Sequence, residues 1–290
     1  MLFAGWASVR FSLLPADDAD ALHRFVIYLC LPATIWKLLP GMRFERELWM
    51  VVFVPWLLLA CTALVIVGLS RLWGFSRGVC GALLLCVPLG NTSFLGFPLV
   101  AALLGEPALR YAVLYDQLGS FLALSTYGLW VAAHYGDRPT STWSQTLLRI
   151  LRFPPFVALV LAFTPLPRIE ILQPLWLRLS DALVPLAMFA VGMRLSWRPP
   201  RPLGAAVFGL SLKLIVMPAL AFAVLALLSA PRALTHAVVL EAGMPAMITA
   251  GAVASLAGLA PELTAALVGY GVLFGIVTVP TLAWLLGAFQ

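Results

Sequence analysis

The chain contains a series of apolar stretches, each about as long as a helix that crosses a lipid bilayer. A spanning helix needs about 20 consecutive, mostly apolar residues, and nine stretches approach or exceed that length. Their predicted bounds are 19–39, 48–69, 78–104, 109–133, 147–164, 171–195, 203–230, 235–259 and 263–287. We therefore predict an all-α polytopic membrane protein, because helices satisfy their own backbone hydrogen bonds in lipid.

The scarcity of charge supports lipid rather than water as the solvent of this chain. Charged residues make up 10% of the sequence, whereas a soluble domain carries about 25%. The net charge of +6 comes from basic residues that, except for Lys213, lie in short connections and near span ends, without the clustering of a nucleic-acid-binding surface. We expect the lipid bilayer as a partner and no nucleic acid.

Side chains that commonly hold metals or cofactors lack the required spacing. Cys30, Cys61, Cys80 and Cys86 lie in apolar stretches without a CxxC pair, and there is no HExxH motif. A Walker A motif is also missing, so the chain is not expected to hydrolyse ATP. We expect no metal site and no cofactor other than a coupling H⁺ or Na⁺.

Prolines recur at a nearly constant offset, which indicates an internal repeat. Three pairs are separated by 152 to 154 residues, namely Pro15 and Pro167, Pro32 and Pro185, and Pro107 and Pro261. This offset fits two five-helix halves, 1–134 and 135–290, within one membrane unit. An odd number of helices per half makes the repeats inverted.

The repeat has a consequence for the first helix. The offset maps the span 147–164 to a region that starts before Met1, and the stretch 1–14 is short and contains Arg10. We expect about ten spans with a truncated first helix, or alternatively a first helix that is naturally short.

One predicted span is interrupted near its middle. In 78–104, helix-breaking prolines and glycines surround three good N-cap residues. These residues are Pro88, Gly90, Asn91, Thr92, Ser93, Gly96 and Pro98. The helix is expected to stop near Pro88 and to restart near Asn91.

A second span, 235–259, is interrupted at the matching place by Gly243, Met244 and Pro245. Paired interruptions at corresponding positions indicate the midplane binding site of a transporter. The freed N–H groups of half-helices suit an anion such as a carboxylate. We therefore expect Gly90 to Ser93 and Gly243 to Pro245 to bind substrate, with two proline-kinked helices as the structural alternative.

Two further prolines, Pro32 and Pro185, occupy matching places in the two halves. Proline removes a backbone donor and clashes with the preceding turn. We expect both to break their helices.

Ionisable residues within spans indicate where coupling could occur. A charge at the centre of a spanning helix costs at least about 2.5–3.5 kcal/mol. Asp116, Lys213 and Glu241 are predicted to couple transport to an ion or to contact substrate. Alternatively, Asp116 and Lys213 could pair across helices, and Glu241 could lie at the membrane interface. Asp181 follows Arg178 by three residues, so we expect these two to pair on one helix face.

Several segments resemble the auxin efflux carrier (AEC) family. The most specific is GNTSFLGFPLVAALLGEPALRYAVLYDQ at 90–117, and weaker matches are FVIYLCLPATIW at 25–36 and EAGMPAMITAGAVASLAGLAPEL at 241–263. The resemblance implies two inverted five-helix repeats with crossing discontinuous helices, as in the similar fold of bile acid:sodium symporters. It also implies alternating access, small carboxylate substrates, and Asn91 and residues 243–245 flanking the substrate.

The sequence thus favours a secondary active transporter of a small organic anion such as a mono- or dicarboxylate. We expect it to be multi-pass in the bacterial inner membrane, and a homodimer is possible. A membrane channel or a non-transporting receptor is the alternative. An intramembrane aspartyl protease would need a GxGD motif, which the chain lacks, so no enzyme activity is expected.

Overall fold

The computed structural model describes residues 1–15, 17–39, 46–136, 143–164, 172–194 and 202–288. Pro167 of the predicted proline repeat, and residues 171 and 195 at the ends of one predicted span, lie outside this part of the chain. The described residues are overwhelmingly helical. In chain order the α-helices are α1 (Leu2–Arg10), α2 (Asp18–Phe25), α3 (Leu31–Leu38), α4 (Arg46–Leu72), α5 (Arg77–Cys86), α6 (Phe97–Leu104), α7 (Leu109–Leu114), α8 (Leu129–Tyr135), α9 (Trp143–Leu151), α10 (Pro154–Ala162), α11 (Gln173–Met193), α12 (Leu203–Ser211), α13 (Met217–Leu227), α14 (Arg232–Ala242), α15 (Ile248–Leu256) and α16 (Pro261–Leu285).

Four continuous helical segments are long and apolar enough to cross a membrane. Within the described ranges they are Glu47–Leu72, Gln173–Met193, Leu203–Leu227 and Pro261–Leu285. Most other predicted spans are assembled from two or more shorter helices in succession. The all-helical architecture agrees with a polytopic membrane protein, while the total of ten spans stays a prediction.

The prediction of one continuous helix over 147–164 is wrong. α9 ends at Leu151 and α10 begins at Pro154. Between them Phe153 is extended, with a ψ of 116°, because the residue before a proline is sterically excluded from the helical region. Phe153 consequently lies at a bend between α9 and α10.

Wide π-helical turns precede three prolines of the described chain. The π-helical segments Val26–Cys30, Thr92–Gly96 and Leu212–Val216 each end two residues before a proline. The prolines are Pro32, Pro98 and Pro218. A proline cannot donate the usual backbone hydrogen bond and crowds the carbonyl four residues earlier, and a wider turn relieves that crowding.

The predicted breaks at Pro32 and Pro185 are wrong. The chain stays helical from Asp18 to Leu38 because a π-helical turn accommodates Pro32. Pro185 lies inside the continuous helix α11, where neighbouring helices can supply the packing that tolerates a proline in lipid. Pro88 does lie in a non-helical stretch, and Pro98 is the second residue of α6.

Helix contacts define two sets of mutually packed helices. In the first set, α11 packs against α1, α2 and α3, and α3 packs against α10. In the second set, α5 packs against α8, α15 and α16, and α13 packs against α14. Each set contains helices from both halves of the sequence.

The contact between α1 and α11 is unusually close at two glycines. A Cβ atom on Gly5 would collide with the carbonyl oxygen of Phe189, and one on Gly192 would collide with the carbonyl oxygen of Leu2. Small residues at both positions therefore let the two backbones touch. This contact fixes the short first helix to α11.

Ion pairs join segments near the ends of these helices. Lys37 Nζ lies 2.5 Å from Glu106 Oε1 and 3.5 Å from Asp181 Oδ1. The predicted pairing of Asp181 with Arg178 is wrong, because Lys37 on α3 provides the cation across the helix interface instead. Arg194 pairs with Asp20 on α2.

Candidate functional site

The two interrupted spans cross at their interruptions. α5 ends at Cys86 and a π-helical turn resumes at Thr92, while α14 ends at Ala242 and α15 begins at Ile248. The structure therefore confirms that both spans come apart near the predicted residues and that the two interruptions meet.

Backbone hydrogen bonds tie the two interruptions together. The amide of Asn91 donates to the carbonyl of Pro245 at 2.7 Å, and the amide of Met247 donates to the carbonyl of Leu89 at 2.9 Å. Gly90 and Ala246 form the isolated antiparallel bridge between them. These bonds satisfy main-chain groups that unwinding would otherwise leave unpaired in an apolar interior.

Gly90 lies close to groups of the second interrupted segment and to Lys213. A Cβ atom there would lie 3.0 Å from Lys213 Nζ and 3.5 Å from the carbonyl oxygens of Glu241 and Met244. The end of the Lys213 side chain would have to shift to make room for this atom, whereas the two carbonyl oxygens would be in ordinary contact with it.

The side chain of Asn91 is free although its backbone is engaged. Asn91 precedes the π-helical turn, but its side chain makes no cap hydrogen bond. Its Nδ2 atom is buried and has no partner among the described residues. An unpaired buried amide is costly, so this donor is available to a ligand.

The start of α15 adds further donors beside Asn91. Met247 precedes this helix, and no side chain caps it. The N–H groups of a first helical turn have no partners within the helix, and they carry the partial positive charge of the helix dipole. Asn91 Nδ2 and this helix start therefore favour an anion.

Asp116 lies close to these donors in a hydrogen-bonded cluster. Thr92 Oγ1 and Ser93 Oγ both donate to Oδ1 of Asp116, and Gln117 Nε2 donates to Oδ2 at 2.7 Å. The predicted alternative, a direct pair between Asp116 and Lys213, is not formed. Three neighbouring donors stabilise a buried carboxylate in place of a counter-ion.

A cavity of about 140 Å³ lies at this crossing. Its polar wall consists of Asn91, Ser93, Asp116, Gln117 and Thr249. The remaining wall comprises Ile27, Leu31, Phe94, Phe121, Leu124, Phe153 and Met247. Since Ile27, Leu31 and Phe153 belong to or adjoin the first set of helices, the cavity lies between the two sets.

Lys213 and Glu241 lie behind this cavity. Lys213 Nζ donates to the carbonyl of Ala242 at 3.3 Å and contacts the sulfur of Met217 at 3.7 Å. Glu241 is fully buried, and neither carboxylate oxygen has a partner among the described residues. A Cβ atom on Gly96 would lie 2.6 Å from Oε1 of Glu241 and closer still to Oε2.

The structure separates the predicted binding residues into two groups. Asn91 and Ser93 line the cavity. The others support it from behind: Thr92 binds Asp116, and Pro245 packs closely against α16 at Gly271 and Gly275. Gly90, Gly243 and Met244 form the crossing without lining the cavity.

Sequence reasoning missed several lining residues. Gln117 belongs to the YDQ motif at 115–117, which could have identified it, and Met247 and Thr249 follow the predicted second interruption. No sequence motif marked Phe121 or Phe153, because their positions at the cavity depend on a π-helical turn and on the bend before α10. Within the described ranges, no cluster of three or more His, Cys, Asp or Glu side chains could hold a metal ion.

Comparison with known proteins places these features in a family. A family model described as "Membrane transport protein" matches residues 1–283. The chain is 26% identical to an uncharacterized transporter of Methanocaldococcus jannaschii, over 99% of this chain and 96% of that protein. It is 27% identical to an uncharacterized transporter of Methanothermobacter thermautotrophicus, over 97% of this chain and 93% of that protein.

Proposed function

The chain belongs to the membrane transport protein family, and we propose that it is a secondary active transporter that moves a small organic anion by alternating access. The family match confirms the resemblance to auxin efflux carriers, and membership of a transporter family supports a non-enzymatic role. The protein is a membrane protein, and we propose the bacterial inner membrane as its location.

The main support for this proposal is the unpaired donor at the crossing. Asn91 Nδ2 is buried beside the uncapped start of α15 and borders the cavity. A carboxylate would satisfy both the amide donor and the first-turn N–H groups. Because the cavity lies between two sets of helices, a relative movement of the sets would change its access without dismantling the crossing.

The organisation of the chain follows from the same proposal. We take residues 1–134 and 135–290 as two inverted five-helix repeats, each contributing one interrupted helix to the crossing. Each set of packed helices contains members of both repeats, which agrees with a single membrane unit.

We assign coupling to the buried ionisable groups at the crossing. An unpaired buried charge is costly, and Glu241 has no hydrogen-bond partner within the described chain. Binding of H⁺ or Na⁺ near Glu241 would remove that cost, and Asp116 and Lys213 would set the local charge balance. Movement of the coupling ion could thereby drive movement of the substrate.

Transport into proteoliposomes tests the proposal. The purified protein is expected to take up a small carboxylate saturably and against its concentration gradient when a proton or sodium gradient is imposed. A channel would give uptake that only equilibrates the substrate, and a receptor would bind it without uptake. Either result would contradict the proposal.

A further inference from the structure

The polar groups that line the cavity differ in whether they can still bind a ligand. The Ser93 hydroxyl and one N–H of Gln117 Nε2 already donate to Asp116, as does the Thr92 hydroxyl from behind the cavity. Asn91 Nδ2 is a free donor, whereas Gln117 Oε1, also without a partner in the described chain, is an acceptor and cannot bind a carboxylate. The lining donor nitrogen that has no partner in the described chain is therefore at the end formed by Asn91 and the start of α15, and this end is the one suited to a carboxylate.

Most of the remaining wall of the cavity is apolar and partly aromatic. Phe121 and Phe153 stack with their ring centroids 4.2 Å apart and their planes 14° from parallel. The cavity volume is about 140 Å³, and an apolar cavity of roughly 150 Å³ holds a molecule the size of benzene. An occupant of about six non-hydrogen atoms fits such a space.

A second carboxylate on the substrate would meet an unfavourable partner. Asp116 is the one ionisable side chain among the described residues that line the cavity. Lys213 does not line it, and its Nζ donates to the carbonyl of Ala242. A second anionic group would be brought close to the Asp116 carboxylate without a cation to offset the repulsion.

From these contacts we propose that the cavity selects a small monocarboxylate with a short apolar tail and discriminates against dicarboxylates. This inference rests on the proposed function and narrows its substrate class. The carboxylate lies against Asn91 and the start of α15, and the tail lies against Phe121 and Phe153.

Binding of two size-matched acids tests this selectivity. Pentanoate and malonate have the same number of non-hydrogen atoms but differ in the second carboxylate. Thermal unfolding and calorimetric titration of the purified full-length protein, at equal ionic strength and fixed pH, measure both affinities. We expect pentanoate to bind saturably and malonate to bind at least about tenfold more weakly.

The outcomes separate this inference from the proposed function. If malonate binds as tightly as pentanoate or more tightly, the selectivity is wrong while carboxylate transport stands. If neither acid binds and neither is taken up into proteoliposomes, both proposals are wrong. The variant Asp116→Asn should narrow the difference between the two acids, and an unchanged difference in a folded variant would contradict the role of Asp116.

A second variant tests where the tail lies. Phe153→Ala enlarges the apolar end, so the ratio of heptanoate affinity to butyrate affinity should rise by about tenfold. Phe156→Ala is the matched control, because its ring lies 6.4 Å from that of Phe121 and does not line the cavity. Equal ratios in the two variants would overturn the proposed orientation.

Discussion

The backbone amide of Asn91 donates a hydrogen bond to the carbonyl of Pro245. The same residue therefore links the two interrupted segments and lines the cavity. Its main chain joins the two interruptions, while its side-chain amide stays unpaired. A substitution at this position can therefore remove ligand binding without removing the bond between the interruptions.

We first predict that Asn91→Ala abolishes carboxylate uptake while the protein still folds. The change deletes the free Nδ2 donor and leaves the backbone bond to Pro245 in place. Loss of a hydrogen bond to a charged group weakens binding by about 1.5–3 kcal/mol. Uptake into proteoliposomes and gel filtration measure the two properties.

Thr281→Val is the control for this experiment. Thr281 bonds to the carbonyl of Val277 in its own helix and lies away from the crossing. Near-normal uptake by a well-folded Asn91→Ala protein would exclude Asn91 from the substrate site.

A second prediction concerns the contact between Gly96 and Glu241. The Cβ atom of Gly96→Ala would overlap the Glu241 carboxylate, and overpacking of this kind costs about 1–3 kcal/mol. We expect a lower melting temperature for this variant. Gly68→Ala should not lower it, because no atom lies within 4 Å of the added Cβ.

The double variant Gly96→Ala with Glu241→Asp completes this test. The shorter Asp side chain moves the carboxylate away from position 96. The losses of stability caused by the two substitutions should therefore be less than additive. If the decreases in melting temperature add strictly, Gly96→Ala does not destabilise the protein through contact with Glu241.

The third prediction concerns the role of Glu241 in ion coupling, which the variant Glu241→Gln tests. The amide keeps the size of the side chain but removes its exchangeable charge. We expect uptake driven by an ion gradient to be lost while exchange of labelled for unlabelled substrate continues. Glu262→Gln, at the exposed start of α16, provides the control.

Gradient-driven uptake by Glu241→Gln at the normal rate would exclude Glu241 as the coupling group. Loss of exchange together with uptake would point to substrate binding rather than to coupling.

A fourth prediction concerns the attachment of the first helix. The Cβ atom of Gly192→Ala would collide with the carbonyl of Leu2, which should loosen α1 at a cost of about 1–3 kcal/mol. Limited proteolysis should cleave the N-terminal region of this variant faster. Gly204→Ala, where the added atom meets open space, should leave the cleavage rate unchanged, and equal rates in both variants would refute the close contact.

The sequence predicted the two interruptions because their cause is local, while their crossing was implied by the family resemblance. Pro88, Gly90 and Pro245 disrupt helices wherever they occur in a span, and the repeat offset placed the two interruptions at matching positions. The structure confirms both interruptions and their contact.

Features that depend on neighbouring helices could not be predicted in the same way. The spacing of Arg178 and Asp181 gave no information about Lys37, which pairs with Asp181 from α3. Pro185 fits into α11 without a break, whereas Pro32 follows a π-helical turn. The aromatic wall of the cavity was missed because the bend before α10 directs Phe153 toward Phe121.

The two hydrogen bonds that hold the crossing join main-chain atoms alone. Residues facing the cavity can therefore be exchanged during evolution without rebuilding the scaffold that presents them. Relatives with the same crossing could in this way acquire different cargoes through a few substitutions, for example at the positions of Phe121 and Phe153.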